Sequence, residues 1–221
     1  KIYSRAFTGD GRPDAATNDG HEVALSGPET DAAAEASTPF ITTLTDGAYV
    51  VVWQQVEAAN ASVVGRLLSP SGAPRPLWNG KNEPFVVASF AAASGPERFY
   101  PNPVATRAAA GGFVVAWSEN GNVKARLFAK NGQPTKNGVG LDAFPLATVA
   151  TGKATSLAMT ALASGFLVAC SDRVTSPPDA DGRSIRLRRF EPIGVAKSPE
   201  FTVNTSVAGD QNEPTLAARP D

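Results

Sequence analysis

The chain has 221 residues and a formal net charge of −1, with acidic and basic side chains interspersed, so it offers one large or two small domains and no basic face for nucleic acid. Its longest apolar runs are about seven residues, far short of a membrane span. The single cysteine, Cys170, excludes an internal disulfide.

In chain order, "KIYSRAFTGDGRP" predicts a strand around Arg5, and "HEVAL" from His21 predicts another. "DAAAEAS" (Asp31 to Ser37) has helical propensity but is short and lacks a large apolar residue, so it reads as a loop. Strands follow at "PFITTL" from Pro39, "AYVVVW" ending at Trp53, "SVVGRLLSPSGAP" with Arg66, and "PFVVAS" from Pro84. The series returns as "PVATRA" from Pro103, "GGFVVAWSENGNVKARLFAKNGQP" from Gly111, and "AFPLAT" from Ala143. It returns again as "SLAMTAL" from Ser156, "FLVAC" ending at Cys170, "SIRLRRFEPIGVA", and "EFTVNT" from Glu200, before "PTLAA" from Pro214. Gly and Pro between the apolar runs punctuate many short strands, and no helical stripe is present.

Two markers recur in lockstep. Arg5, Arg66, Arg126 and Arg188 are spaced by 61, 60 and 62 residues, and so are Gly11, Gly72, Gly132 and Gly194. Each unit holds four strands, a to d, and units run approximately over 1–53, 54–117, 118–170 and 171–221. In strand b, Phe113, Val115 and Trp117 point to one face and Val114 and Ala116 to the other, so both faces are apolar. A half-solvated antiparallel sheet would alternate apolar and polar residues. Small sheets buried on both faces and repeated about every 61 residues predict an all-β, β-propeller-like array of four-stranded antiparallel blades. β-Sandwich domains are the alternative. Strand b occurs three times and the other strands four, so the sequence reads as a segment of a longer propeller, or as a chain whose missing strand comes from another polypeptide.

"EFTVNTSVAGDQNEPTLAARPD", the Gly-Phe-Val-Val-x-Trp hairpin and "ARLFAKNGQP" together resemble a tandem repeat of very large secreted or cell-surface bacterial proteins, adhesin-like and often associated with RTX or cadherin modules. The match is sharpest over Phe201 to Pro214 and Gly112 to Gly132, and it degrades where Cys170 replaces the Trp. This resemblance implies an extracellular or cell-surface location. It also implies a structural or adhesive role, with protein partners supplied by other chains or by the rest of a longer chain.

Chemistry-bearing motifs are sparse. The only histidine, His21, has no nucleophile motif beside it, and Cys170 reads as a small buried hydrophobe. The expectation is therefore a non-catalytic module that needs no cofactor, with calcium the one metal to weigh. Asp179 and Asp181 in "PPDADGRS" place alternate carboxylates in a Gly-bearing loop, and Asp10, Asp14, Asn18 and Asp19 lie in similar turns. Asn60 and Asn204 match the glycosylation sequon, which matters in a eukaryotic secretory protein. The repeated Arg5, Arg66, Arg126 and Arg188 read as structural ties between strands, and Trp53 and Trp117 as core. Trp78 stands outside the repeat text and is the candidate for ligand contact. The reading that follows is a scaffolding module making protein–protein contacts, with a carbohydrate-binding, lectin-like propeller as the alternative.

Overall fold

In the computed structural model, the described residues are 1–26, 35–57, 60–91, 101–108, 111–147, 156–173 and 181–219. Among them there is no α-helix, and no helix is long and apolar enough to cross a membrane. The strands are β1 (Tyr3–Ser4), β2 (Val23–Ala24), β3 (Glu35–Thr43), β4 (Tyr49–Glu57), β5 (Asn60–Leu68), β6 (Phe85–Ala91), β7 (Val104–Arg107) and β8 (Phe113–Glu119). They continue as β9 (Asn122–Phe128), β10 (Pro134–Thr135), β11 (Phe144–Pro145), β12 (Leu157–Leu162), β13 (Gly165–Arg173), β14 (Arg183–Phe190) and β15 (Phe201–Thr202).

Three sheets repeat the same antiparallel meander, β3-β4-β5-β6, β7-β8-β9 with β10 and β11 both pairing β9, and β12-β13-β14-β15. A fourth, β1-β2, holds only strands c and d. The first strands of successive sheets lie together, β7 between β3 and β12, as the inner strands of propeller blades do. The all-β, propeller-like expectation therefore stands.

Alternation within strand b explains the stacking. Val51 and Trp53 of β4 face the first sheet and join Ile2, Leu25 and Leu68. Val50 and Val52 face the other way, toward Phe113, Val115 and Trp117 of β8. Val114 and Ala116 of β8 then meet Phe166, Val168 and Cys170 of β13. Each central sheet thus buries both faces on its neighbours, which explains why strands b carry no polar alternation. A few turns recur with the period. The residues that open the c–d turns, Thr8, Ser69, Ala129 and Glu191, each accept from a glycine three residues on, at φ +73° to +82°. Only glycine adopts that conformation without strain.

Three expectations are corrected. "PTLAA" from Pro214 forms no strand, because no strand b among the described residues is there to pair with it. Within Asp31 to Ser37, residues 31–34 lie outside the described residues, and Glu35–Ser37 open β3 through a register shift between Ser37 and Phe40 rather than forming a loop. Strands b also outlast Trp53, Trp117 and Cys170, running to Glu57, Glu119 and Arg173.

Candidate functional site

The repeated arginines bind backbone. Arg66 donates through Nη1 to Leu25 O of the preceding unit (2.8 Å) and through Nη2 to Asn82 O of its own (3.4 Å). Arg126 repeats the arrangement with Val87 O (2.6 Å) and Asp142 O (3.3 Å). Arg5 and Arg188 each reach a carbonyl of their own unit, Gly20 O at 2.9 Å and Ser198 O at 3.2 Å, and lie over Phe7 and Phe190. Among the described residues no carboxylate pairs with any of these four, and burial pulls the Arg66 pKa down. Trp53 and Trp117 are fully buried in the inter-sheet cores.

Trp78 lies in a repeated loop after all. Its N–H donates to Asn131 O of the next unit at 3.1 Å, as the Gly138 N–H donates to Ile193 O at 2.7 Å, while the Thr17 hydroxyl donates to Ser71 O. Its indole remains half-exposed on that turn. The sequence hid this equivalence because Gly138 and Trp78 share a backbone role and no side-chain chemistry.

The other candidates disperse. Asp179 lies outside the described residues, and the Asp181 carboxylate accepts from the Gly209 N–H at 3.1 Å. Asp10 accepts from the Thr8 hydroxyl and pairs with Arg12 at 3.3 Å, and Asp14 caps the Ala16 N–H. Asn18 and Asp19 form a short 3-10 turn at positive φ that His21 closes, with His21 exposed. Among the described residues, no three His, Cys, Asp or Glu side chains gather for a metal. Asn60 is exposed and begins β5, paired with Glu57 at the end of β4. The Asn204 side chain is committed internally, accepting from the Ile185 N–H and donating to Ser206 O and Gln211.

Between the second and third complete sheets, substitution of Trp by Cys170 coincides with buried charge. Arg186, opposite Cys170 in register, pairs with Glu200 at 3.2 Å. Asp172 is buried, and its Oδ1 and the Ser184 Oγ opposite it find no partner among the described residues. Desolvation and the nearby Glu200 carboxylate push the Asp172 pKa up. The Cys170 thiol is pushed up to about 12, mainly by burial, which keeps it protonated and unreactive.

Among the described residues, two hollows have linings that correspond through the repeat. The first, about 260 Å³, lies between the opening strand and the next unit, lined by Arg5, Ala6, Phe7 and Asp14 with Tyr49, Pro70 and Ser71. The second, about 560 Å³, is lined by Leu127, Phe128, Thr135 and Lys136 with Pro192 and Ile193, and by Thr45, Asp46 and Lys130. Ala6, Phe7 and Asp14 correspond to Leu127, Phe128 and Thr135, and Pro70 and Ser71 to Pro192 and Ile193. Arg75 holds Asp46 at 2.9 Å, and its hydrogen bond keeps that carboxyl below the usual range. Sequence reasoning missed both hollows, whose walls join residues from separate units.

No protein-family model matches the chain, and no curated protein matches it in sequence. Similar solved structures include a protein of unknown function from Dyadobacter fermentans (TM-score 0.45, 10% identity, 71% of this chain and 38% of that one). They include a GH43 endo-arabinanase from Bacillus licheniformis (TM-score 0.45, 11% identity, 77% and 60%). A third is a structure titled as a putative glycoside hydrolase from Parabacteroides distasonis (TM-score 0.44, 14% identity, 83% and 58%). The chain therefore spans under two thirds of each of these chains. The expectation that the chain is not an enzyme is set aside: a sparse set of motifs is no ground for excluding catalysis, and two of these three structures carry glycosidase titles. At this identity the likeness concerns architecture, and what those proteins act on stays theirs.

Proposed function

We propose that the chain binds carbohydrate through hollows repeated along the array. One observation carries the reading: two cavities at corresponding places in the repeat, each joining an apolar floor to cationic and hydroxyl-bearing side chains. A sugar ring presents C–H faces and hydroxyls together, and a site that fixes its orientation needs both kinds of wall. In the first hollow Phe7 and Tyr49 offer the apolar face, and Arg5, Asp14 and Ser71 the polar groups. In the second Leu127, Phe128 and Ile193 form the floor beneath Thr45, Lys130, Thr135 and Lys136. The same reading keeps the secreted or cell-surface setting that the Val-Asn-Thr text suggests.

A glycan array followed by calorimetry on the best oligosaccharide tests this. The expected result is about two sugars per chain, with at least tenfold weaker binding at one site in Tyr49→Ala and at the other in Lys136→Ala. Absence of binding to any glycan at millimolar concentration, or affinities unmoved by both substitutions, would overturn the reading.

A further inference from the structure

Two lysines in the second hollow stand where the repeat does not ask for them. The place of Lys130 is taken by Gly9, Pro70 and Pro192 in the other units, and that of Lys136 by Ala15, Pro76 and Ser198. The pairs Phe7–Pro13, Leu68–Pro74, Phe128–Pro134 and Phe190–Ala196 fix that alignment in the structure. No other unit carries a cation at either place, yet both lysines line the same hollow. Neither ammonium pairs with a carboxylate among the described residues. The carboxylate in that lining, Asp46, is already taken by Arg75 at 2.9 Å. Lys130, Lys136 and Arg75 thus stand against Asp46 alone, in a chain whose formal net charge is −1. The first hollow is balanced instead. Its lining holds Arg5 and Asp14, and Arg5 is committed to Gly20 O at 2.9 Å and to the Phe7 ring.

We propose, building on the carbohydrate reading, that the second hollow selects a sugar bearing an anionic substituent, a uronate carboxylate or a sulfate ester, while the first takes neutral rings. An ammonium group only donates, and it donates most strongly to a charged oxygen, so two unanswered ammonium groups favour an anion over a neutral hydroxyl. The floor of Leu127, Phe128 and Ile193 still asks for the C–H face of a ring, which a bare anion lacks. Lysine is a compact point charge without a planar fork, so it receives carboxylate and sulfate alike. Both lysines are exposed, so each adds a modest attraction that salt screens.

Calorimetry on the full chain tests this. The probes are neutral trisaccharides of galactose, glucose and mannose, each beside its uronic-acid and its sulfated counterpart. At about 50 mM salt, one site per chain should bind an acidic trisaccharide about tenfold more tightly than the neutral one, and the other site should not discriminate. At about 500 mM salt the preference should shrink to about twofold. Lys130→Gln together with Lys136→Gln should bring the ratio of acidic to neutral affinity to about one, whereas Arg at both positions should keep the preference. Both positions are exposed, so the fold should persist, which circular dichroism verifies. A preference for either charged sugar supports the proposal, and the two arms identify which anion is read. Equal affinity for charged and neutral sugars at both sites would overturn it, as would a preference that survives the double glutamine substitution. A triglutamate peptide bound there as tightly as the uronate would overturn it too, because charge alone would then suffice. Sugar binding without charge preference leaves the carbohydrate reading standing, whereas no sugar binding at all removes both.

Discussion

The two inter-sheet cores around β8 are built on one plan and filled differently. Toward β4, Phe113 stacks on Phe128 with ring centroids 4.9 Å apart, Phe85 closes on both, and Trp117 completes an apolar layer. Toward β13, Phe166 stacks on Phe190 in the same way at 5.2 Å, with Phe144 in the place of Phe85. The difference lies at the far end of the strand. There Trp117 donates to Glu119 and Lys124 closes on the same carboxylate at 2.6 Å, at the edge of the layer. In the other core the small Cys170 leaves room for Arg186 and Glu200, and Asp172 is drawn into a buried place. The aromatic half of the interface is what the repeat specifies. The indole half can be exchanged for charge, at the expense of unsatisfied polar atoms.

The sharpest way to break this comparison is to empty both indole-end positions. Trp117→Ala should lose about 3–5 kcal/mol in chemical denaturation, whereas Cys170→Ala should lose roughly 1 kcal/mol, because far less apolar volume is removed. Equal losses would mean that the charged layer stabilises as well as the indole does. Next come the glycines where both strands b begin. A Cβ on Gly112 would sit 2.0 Å from Phe128 O, and one on Gly165 1.9 Å from Phe190 O. Alanine at either place should cost about 1–3 kcal/mol by forcing strands b and c apart, with Gly165→Ala the worse because its φ of +132° is also unfavourable. Melting of both variants checks the order.

Smaller effects sharpen the same contrast. Arg126→Met gives up two carbonyl bonds and Arg188→Met one, so the first should destabilise by about 1–2 kcal/mol more than the second. The smallest effect depends on pH. The folded state raises the Asp172 pKa, so the favourable contribution of its neutral form is complete below the ordinary value of 3.8 and is lost as pH rises through the folded value. Asp172→Asn keeps a neutral side chain at every pH. Its melting temperature should exceed that of the native chain by a few degrees at neutral pH, and the gap should close as pH falls to 3.8. A gap that widens in acid would mean that the carboxylate is stabilised by Arg186 rather than strained by burial.

Much of this architecture was legible because it is local. Alternation within Phe113–Trp117 fixes which side chains face which sheet, and Arg126 and Gly132 mark the c strand and its turn at fixed offsets. What escaped reading depends on contacts between units. The hollows join Phe7 to Pro70 and Phe128 to Pro192, pairs more than 60 residues apart that no window of sequence compares. Trp78 escaped because its repeated role belongs to its N–H. The fate of "PTLAA" depends on whether a partner strand is present, which its own residues do not encode.

The guanidinium-to-carbonyl links of Arg66 and Arg126 have a consequence for how such a chain can change. A carbonyl is present whatever the side chain, so the residues at Leu25, Val87, Asn82 and Asp142 can drift without breaking the link. No compensating substitution in the neighbouring unit is needed. Whole units can be duplicated, deleted or shuffled while each arginine still finds its partner, and the array can lengthen by recombination before any side chain has adapted to its new neighbour.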